Sequence, residues 1–321
     1  MMYPLKFTPI LMERLWGGRG LEKFGRRLPE NKNIGESWEL SSVEGAVSRV
    51  KNGGLRGNNI NELIEVYMGD LVGESVYERF GEEFPLLIKF LDACEQLSAQ
   101  VHPDDEVAIE RHHAYGKSEL WYVIEAAEGA CIYWGFNRQY TKEEYLEHLE
   151  NGTVEQMLRR VPVRVGEAYF IPAGTVHAMG SGVVVAEIQQ TSDVTYRIFD
   201  WNRVDQNGTA RELHTDLALD VIDFTRTEPE VMVPRPDPNG VTEVKSCRHF
   251  TINLIDVQSE VRRSMMSLDS FVVYVCVGGS VKIATEDGDE SLKMGETVLI
   301  PASTDEVQIK GCGKLLEIYI K

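Results

Sequence analysis

The chain has 321 residues, 43% of them hydrophobic, enough for two domains of ordinary size with ample core. Acidic residues number 51 against 33 basic ones, and the formal net charge of -18 makes a nucleic-acid or anionic-membrane partner unfavourable. The five cysteines (Cys94, Cys131, Cys247, Cys276, Cys312) are odd in number, scattered and without a C-x-x-C pair, which excludes a disulfide framework and a thiolate zinc knuckle and suits a reducing compartment.

Met1-Met2-Tyr3-Pro4-Leu5-Lys6 lacks the basic-then-apolar pattern of a signal peptide, and no stretch nears the length of a membrane span. The expectation is a cytoplasmic protein, monomeric or weakly dimeric. Asn59-Ile60-Asn61-Glu62 reads as a capping box, and Ile60, Leu63, Ile64, Tyr67, Met68 and Leu71 keep helical spacing, which predicts one helix packed on the core. Phe84 to Leu91 is apolar on both faces, as in a buried central strand. Lys89 inside it is unusual, because a buried lysine needs a partner; it points to an anion in a cavity.

Gln96 to Asp105 alternates as a half-buried strand, with Leu97, Ala99 and Val101 facing one way and Ser98, Gln100 and His102 the other. Lys117, Glu119 and Trp121 share a face in the same manner. Between about 141 and 160 the chain reads as helical, with Thr141-x-x-Glu144 and Thr153-x-x-Gln156 as two capping boxes, and strands are expected to resume from Val163. Then comes Gly166-Glu167-Ala168-Tyr169-Phe170-Ile171-Pro172-Ala173-Gly174-Thr175-Val176-His177, a strand, a tight turn and a histidine. One glycine opens the turn, proline fixes φ, the second glycine takes a backbone angle other residues avoid, and His177 supplies a metal-binding nitrogen. Gln100, His102, Glu119 and His177 make a mixed nitrogen and oxygen set that suits a divalent cation such as zinc and leaves room for water or substrate oxygens. Taken singly, Gln100 also reads as a hydrogen-bonding strand residue and Glu119 as a solvated carboxylate.

From Val183 to Gln190, Glu187 and Gln189 share a face; an irregularity at Thr191-Ser192-Asp193 leads to Thr195-Tyr196-Arg197. Glu187 and Asp193 are candidate partners of the metal or of Arg197, although Asp193 equally suits a plain turn. The proline-rich run Glu228 to Gly240 reads as a linker, with a boundary near 235. Beyond it, Gly295-x5-Pro301 parallels Gly166-x5-Pro172, but Asp305 and Glu306 fall near the place of the histidine, so the second domain is expected to be structural and metal-free.

The Gly166 to His177 string matches the second cupin motif, G-x5-P-x-G-x2-H. With Gln100-Val101-His102-Pro103-Asp104-Asp105, Gly116-Lys117-Ser118-Glu119, Tyr196-Arg197-Ile198-Phe199-Asp200-Trp201 and Glu36-Ser37-Trp38-Glu39, the chain resembles type I mannose-6-phosphate isomerases in their short bacterial form. The resemblance implies a mainly β fold of two cupin-like jelly-roll β-barrels with a small helical insertion: a catalytic metal-binding domain over 1–235 and a C-terminal cupin-like domain over 236–321. It also implies one zinc ion per chain on Gln100, His102, Glu119 and His177, and Arg197 as the principal catalytic arginine. Two departures stand out: the helical insertion is shrunken, and Ser181 stands where many cupins carry Asn.

A sugar phosphate would be repelled by so acidic a chain, so its pocket must gather cations, and Lys89, Lys117 and Arg197 are placed to do so, with surface charge or salt bridging as the alternative. Ser98, Lys89 and Trp16 are the expected substrate contacts. The carbon base stays open among Lys117, Glu187 and Asp193: a desolvated lysine needs a depressed pKa for that work, a carboxylate a raised one. Rival readings are an Fe(II) cupin oxygenase built on His102, Glu119 and His177, and a non-catalytic sugar-binding cupin.

Overall fold

The computed structural model describes residues 2–204 and 208–321. Up to residue 232 the strands are β1 (Ile10–Gly18), β2 (Ile34–Leu40), β3 (Leu86–Ala93), β4 (Ala99–Val101), β5 (Glu119–Ala126), β6 (Cys131–Phe136), β7 (Leu158–Pro162), β8 (Ala168–Ile171), β9 (His177–Met179), β10 (Val183–Gln190), β11 (Tyr196–Phe199) and β12 (Glu230–Met232). One seven-stranded sheet runs β1-β2-β3-β10-β5-β8-β12, and a five-stranded sheet runs β11-β4-β9-β6-β7.

Alternation sorts each central strand between two cores. In β10, Val184, Ala186 and Ile188 join a cluster on the outer face, while Val183 and Val185 turn inward. The inner cluster joins Trp121 and Tyr169 of the first sheet to Ile132, Trp134 and Met179 of the second, so the two sheets pack face to face. Behind the five-stranded sheet, Val101, Tyr133 and Ala178 are covered by Tyr145 and Met157.

The C-terminal domain is a further seven-stranded sheet of β13 (Val241–Ser246), β14 (Thr251–Val257), β15 (Glu260–Ser264), β16 (Val272–Thr285), β17 (Gly288–Lys293), β18 (Thr297–Ile300) and β19 (Glu306–Tyr319). Its β16 divides in the same way: Val272, Tyr274 and Cys276 fill its own core, and Val273 and Val275 face the first domain. Phe84 and Phe271 meet across this seam with ring centroids 4.6 Å apart. The repeated turn is real, since Gly166 and Gly295 take φ of 88° and 86°. Within the second domain the buried Glu317 carboxylate accepts from Tyr274 Oη (2.9 Å), Asn253 Nδ2 (2.8 Å) and both arms of Arg263 (2.8 and 2.9 Å).

Several local expectations differ from the structure. The helix from Ile60 stops at Tyr67, because Met68 at φ 47° and Gly73 at φ 96° turn the chain, which restarts as helices Gly69–Val72 and Glu74–Phe80. The last helix is captured across the seam: Asp269 accepts from the amides of Glu74 (2.7 Å) and Ser75 (2.9 Å), a long-range cap that no local spacing announces. Thr141 caps the helix Lys142–Glu150 as expected, whereas Thr153 turns its hydroxyl to His148 Nδ1 (2.9 Å) and only a 3-10 turn, Val154–Met157, follows. The chain is already extended in β7 at Leu158, before Val163. Within the proline-rich run, β12 adds an edge strand to β8, since Pro229 and Pro234 flank the pairing residues without interrupting them.

Because Phe271 is fully buried where the two domains meet, Phe271→Ala should lower the unfolding free energy by about 3–5 kcal/mol. Urea denaturation followed by tryptophan fluorescence measures it; a loss under about 1 kcal/mol would mean the domains do not stabilise each other through this contact.

Candidate metal and substrate site

Both sheets contribute to one polar patch in the otherwise apolar space between them. Gln100 in β4 pairs with His177 in β9 on one side and with Arg197 in β11 on the other. In the facing sheet Glu187 of β10 lies between Lys89 of β3 and Trp121 of β5, and Gln189 lies beside Glu119. Lys117 sits two residues before Glu119, on the same face. β4 spans only Ala99–Val101 of the strand expected over Gln96 to Asp105, and His102 follows its end; Gly174 takes φ 83° and its amide donates to His102 O at 2.9 Å, so the turn that delivers His177 is tied to the segment carrying His102.

His102, Glu119 and His177 are buried, and their potential ligand atoms all lie within 4.8 Å of one another. His102 Nδ1 faces the carbonyl of Val194 at 2.9 Å and His177 Nδ1 that of Thr175 at 2.8 Å. A carbonyl only accepts, so each Nδ1 carries the proton and each Nε2 presents its lone pair to the cluster. The irregular stretch after β10 thereby supports the site: Gln189 Nε2 donates to Ser192 O (2.6 Å), and the turn it holds brings the Val194 carbonyl to His102. Glu119 Oε1 lies 3.2 Å from His177 Nε2 with no hydrogen-bond donor of its own. Two acceptors at that separation repel unless a cation joins them, and this pair is the observation that fits the group to a metal. The Gln100 carboxamide lies 3.3 Å from the same nitrogen, and turned end for end it presents Oε1 there.

Positive charge already reaches the cluster through Lys117, which pairs with Glu119 and stands 3.0 Å from His102 Nε2. Burial alone would raise the Glu119 carboxyl, but the Lys117 ammonium outweighs it and holds the group well below the usual carboxylate range. Burial, reinforced by Lys117, pushes His102 well below the ordinary imidazole range, so it is neutral.

A cavity of about 400 Å³ opens in front of these groups, lined by Trp16, Ser98, Lys89, Gln100, Lys117, Glu187, Asp193 and Arg197. Every residue read from the sequence as a catalytic or substrate contact therefore borders one space. Lys89 lies 3.0 Å from Glu187 Oε1 and 3.7 Å from Glu36 Oε2. Burial works against the Lys89 ammonium, but Glu187 and Glu36 hold it charged. In Glu187 burial wins over Lys89 and pushes the carboxyl up. Asp193 is exposed at the rim. Arg197 is half-buried; its Nη1 donates to Glu212 O at 2.9 Å, and no carboxylate of the described residues pairs with it. Burial and the nearby Arg211 pull its pKa down.

Arg14, Glu36, Trp38 and Arg211 also border the cavity and were not singled out as site residues by the sequence. Glu36 is the hub: it accepts from Arg14 Nε and from Trp38 Nε1, both at 2.6 Å, and faces Lys89. A signal for it existed in the alternation of Glu36-Ser37-Trp38-Glu39 along β2, which puts Glu36 and Trp38 on the cavity side. Arg211 lies outside any strand or helix and carries no such signal.

Comparison with known proteins bears on both domains. The family model for the catalytic domain of type I phosphomannose isomerase matches residues 5–133, and that for the cupin domain of mannose-6-phosphate isomerase matches residues 240–320. A mannose-6-phosphate isomerase of Bacillus subtilis is 34% identical over 320 residues, 99% of each chain. One from Streptococcus mutans is 34% identical over 315 residues, covering 97% of this chain and 96% of its own. The crystal structure of mannose 6-phosphate isomerase from Bacillus subtilis superposes with a TM-score of 0.85 at 32% identity, covering 99% of this chain and all of that one.

Burial would raise the Glu36 carboxyl, but Lys89 and Arg14 prevail and lower it. A carboxyl depressed in the folded state stabilises above its unfolded pKa of about 4.3 and loses that contribution as pH falls. Glu36→Gln should therefore cost about 3 kcal/mol of stability at pH 7, and the gap to the parent should narrow towards pH 3. Denaturation at both pH values is the check, and a pH-independent gap would reassign Glu36 to neutral packing.

Proposed function

The chain belongs to the type I mannose-6-phosphate isomerase family, and from that premise we propose that the cavity between the sheets interconverts mannose 6-phosphate and fructose 6-phosphate, with one zinc ion per chain held by Gln100, His102, Glu119 and His177. The observation that carries the metal reading is Glu119 Oε1, buried without a donor and 3.2 Å from His177 Nε2. When bound there, a divalent cation supplies Lewis-acid stabilisation of negative charge on a sugar oxygen. The Fe(II) oxygenase and the non-catalytic sugar-binding readings lose their support with the family assignment.

The isomerisation moves hydrogen from C2 to C1 of the open-chain sugar and shifts the carbonyl from C1 to C2, through an enediol. Glu187 fits the carbon base better than its rivals, because it borders the cavity and burial keeps its carboxyl avid for a proton. Lys117 is engaged by Glu119 and His102, and Asp193 stands at the exposed rim. The guanidinium of Arg197, protonated and without a carboxylate partner among the described residues, stabilises charge developing on the sugar oxygens. Lys89 places an ammonium in the cavity of an otherwise acidic chain, which suits the phosphate, while Ser98 and Trp16 offer a hydroxyl and an indole to the sugar. No helix of the described residues is long and apolar enough to cross a membrane.

Purified protein should carry about one divalent metal per chain and lose isomerase activity on chelation, and His102→Ala and His177→Ala should each arrive depleted of metal. Elemental analysis beside a coupled assay decides it; full activity without metal would end the reading. Arg197→Lys should keep fold and metal but lose on the order of 10²-fold in kcat, since lysine retains the charge without the planar fork. Glu187→Gln should retain metal yet stop exchange of the C2 hydrogen with solvent, and persistent exchange would move the base to another residue.

A further inference from the structure

Behind the catalytic cavity, on the opposite side of β2, lies a hollow of about 580 Å³ where the two domains meet, and its walls carry Lys23, Arg26, Arg27, Lys51 and Lys293 against the single acid Glu296. So many cations in one recess run against a chain whose net charge is -18. Some are engaged. Arg26 pairs with the buried Glu39 at 2.8 Å and donates from Nε to Ser37 Oγ at 3.1 Å, Lys23 pairs with Glu125, and Glu296 is taken by Lys6 at 3.1 Å. The side chains of Arg27, Lys51 and Lys293 have no ion-pair or hydrogen-bond partner among the described residues. Partial desolvation and the neighbouring Lys6 ammonium lower the Lys51 pKa, with Glu296 and Glu39 acting against them. The remaining lining, Pro9, Leu11, Phe24 and Met294, is apolar.

We propose that this seam hollow is a second ligand site, separate from the catalytic cavity, that takes a small molecule carrying a diphosphate-type charge on an apolar ring body, such as a nucleoside diphosphate. Three exposed cations without partners among the described residues, Arg27, Lys51 and Lys293, line the hollow from three separate segments of both domains and would meet the charged portion. The apolar side of the recess takes the ring. The position suits a small-molecule site, since such sites favour the junction of domains. It is not an extension of the active site: Glu36 and Trp38 face the catalytic cavity, whereas Ser37 and Glu39, on the other face of the same strand, hold Arg26 under the hollow.

Calorimetric titration of the full chain with ADP tests the site. Saturable binding near one molecule per chain is expected, undisturbed by saturating mannose 6-phosphate. A combined Arg27→Gln, Lys51→Gln, Lys293→Gln variant should bind at least about tenfold more weakly. These side chains lie outside the catalytic machinery, so its kcat and Tm should match the parent. The parent's affinity should also fall as salt is raised, because the attraction is electrostatic. ADP displaced by mannose 6-phosphate and bound equally by the variant would place it in the catalytic cavity and overturn the proposal; so would the absence of saturable binding to the parent.

Discussion

Three electron-pair donors, the Glu119 carboxylate and the Nε2 atoms of His102 and His177, are packed within 4.8 Å of one another in the dry space between two sheets. A grouping of that kind is unfavourable unless positive charge lies among its members. The neighbouring side chains are arranged around this need. From Glu119 the charges alternate outward through Lys117, Glu187, Lys89 and Glu36 to Arg14 at the wall of the cavity, each contact at 3.7 Å or less. An isolated ion at any of the buried positions would be expelled or neutralised; Lys117, Glu187, Lys89 and Glu36 are each balanced on two sides. The cavity is thereby kept both charged and folded, which a sugar phosphate and a charge-developing reaction require.

What could be read from the sequence depended on distance along the chain. The face shared by Ser98, Gln100 and His102, the face of Lys117, Glu119 and Trp121, and the turn ending in His177 are local patterns, and each places its residue in the site. The hub role of Glu36 is not local, because it rests on Trp38 of β2 lying opposite Lys89 of β3, some fifty residues on. Nor is the course of the chain after the first helix, where the pattern of Ile60 to Leu71 is continuous but Met68 turns at φ 47° and, further on, Asp269 of the other domain caps the helix that starts at Glu74. The carbon base stayed open for the same reason: choosing between Lys117, Glu187 and Asp193 requires knowing which of them is engaged and which is exposed.

The second domain shows how one turn motif serves two ends. Gly295 repeats the backbone of Gly166 ahead of β18, yet the strand after the next turn, β19, begins at Glu306 rather than a histidine, and its buried carboxylate, Glu317, is fully occupied by Tyr274, Asn253 and Arg263. A carboxylate satisfied by fixed protein donors holds a core together, whereas one left with a bare oxygen, as in Glu119, holds a place for something else.

Strand β10 has no solvent face. Val184, Ala186 and Ile188 join the core shared with the second domain, while the residues between them face inward, Val183 and Val185 to the inner core and Glu187 to the cavity, so the two sets are interleaved one by one. For the history of such a chain, this makes the count of residues in β10 harder to change than their identity. Exchanging Val184 for another apolar side chain touches one core only. Inserting or deleting a single residue upstream of Glu187 would rotate the rest of the strand by half a turn, driving Glu187 and Gln189 into the apolar seam and pointing Ala186 and Ile188 at the substrate. Divergence here can proceed by substitution, while length variation is confined to the loops at either end.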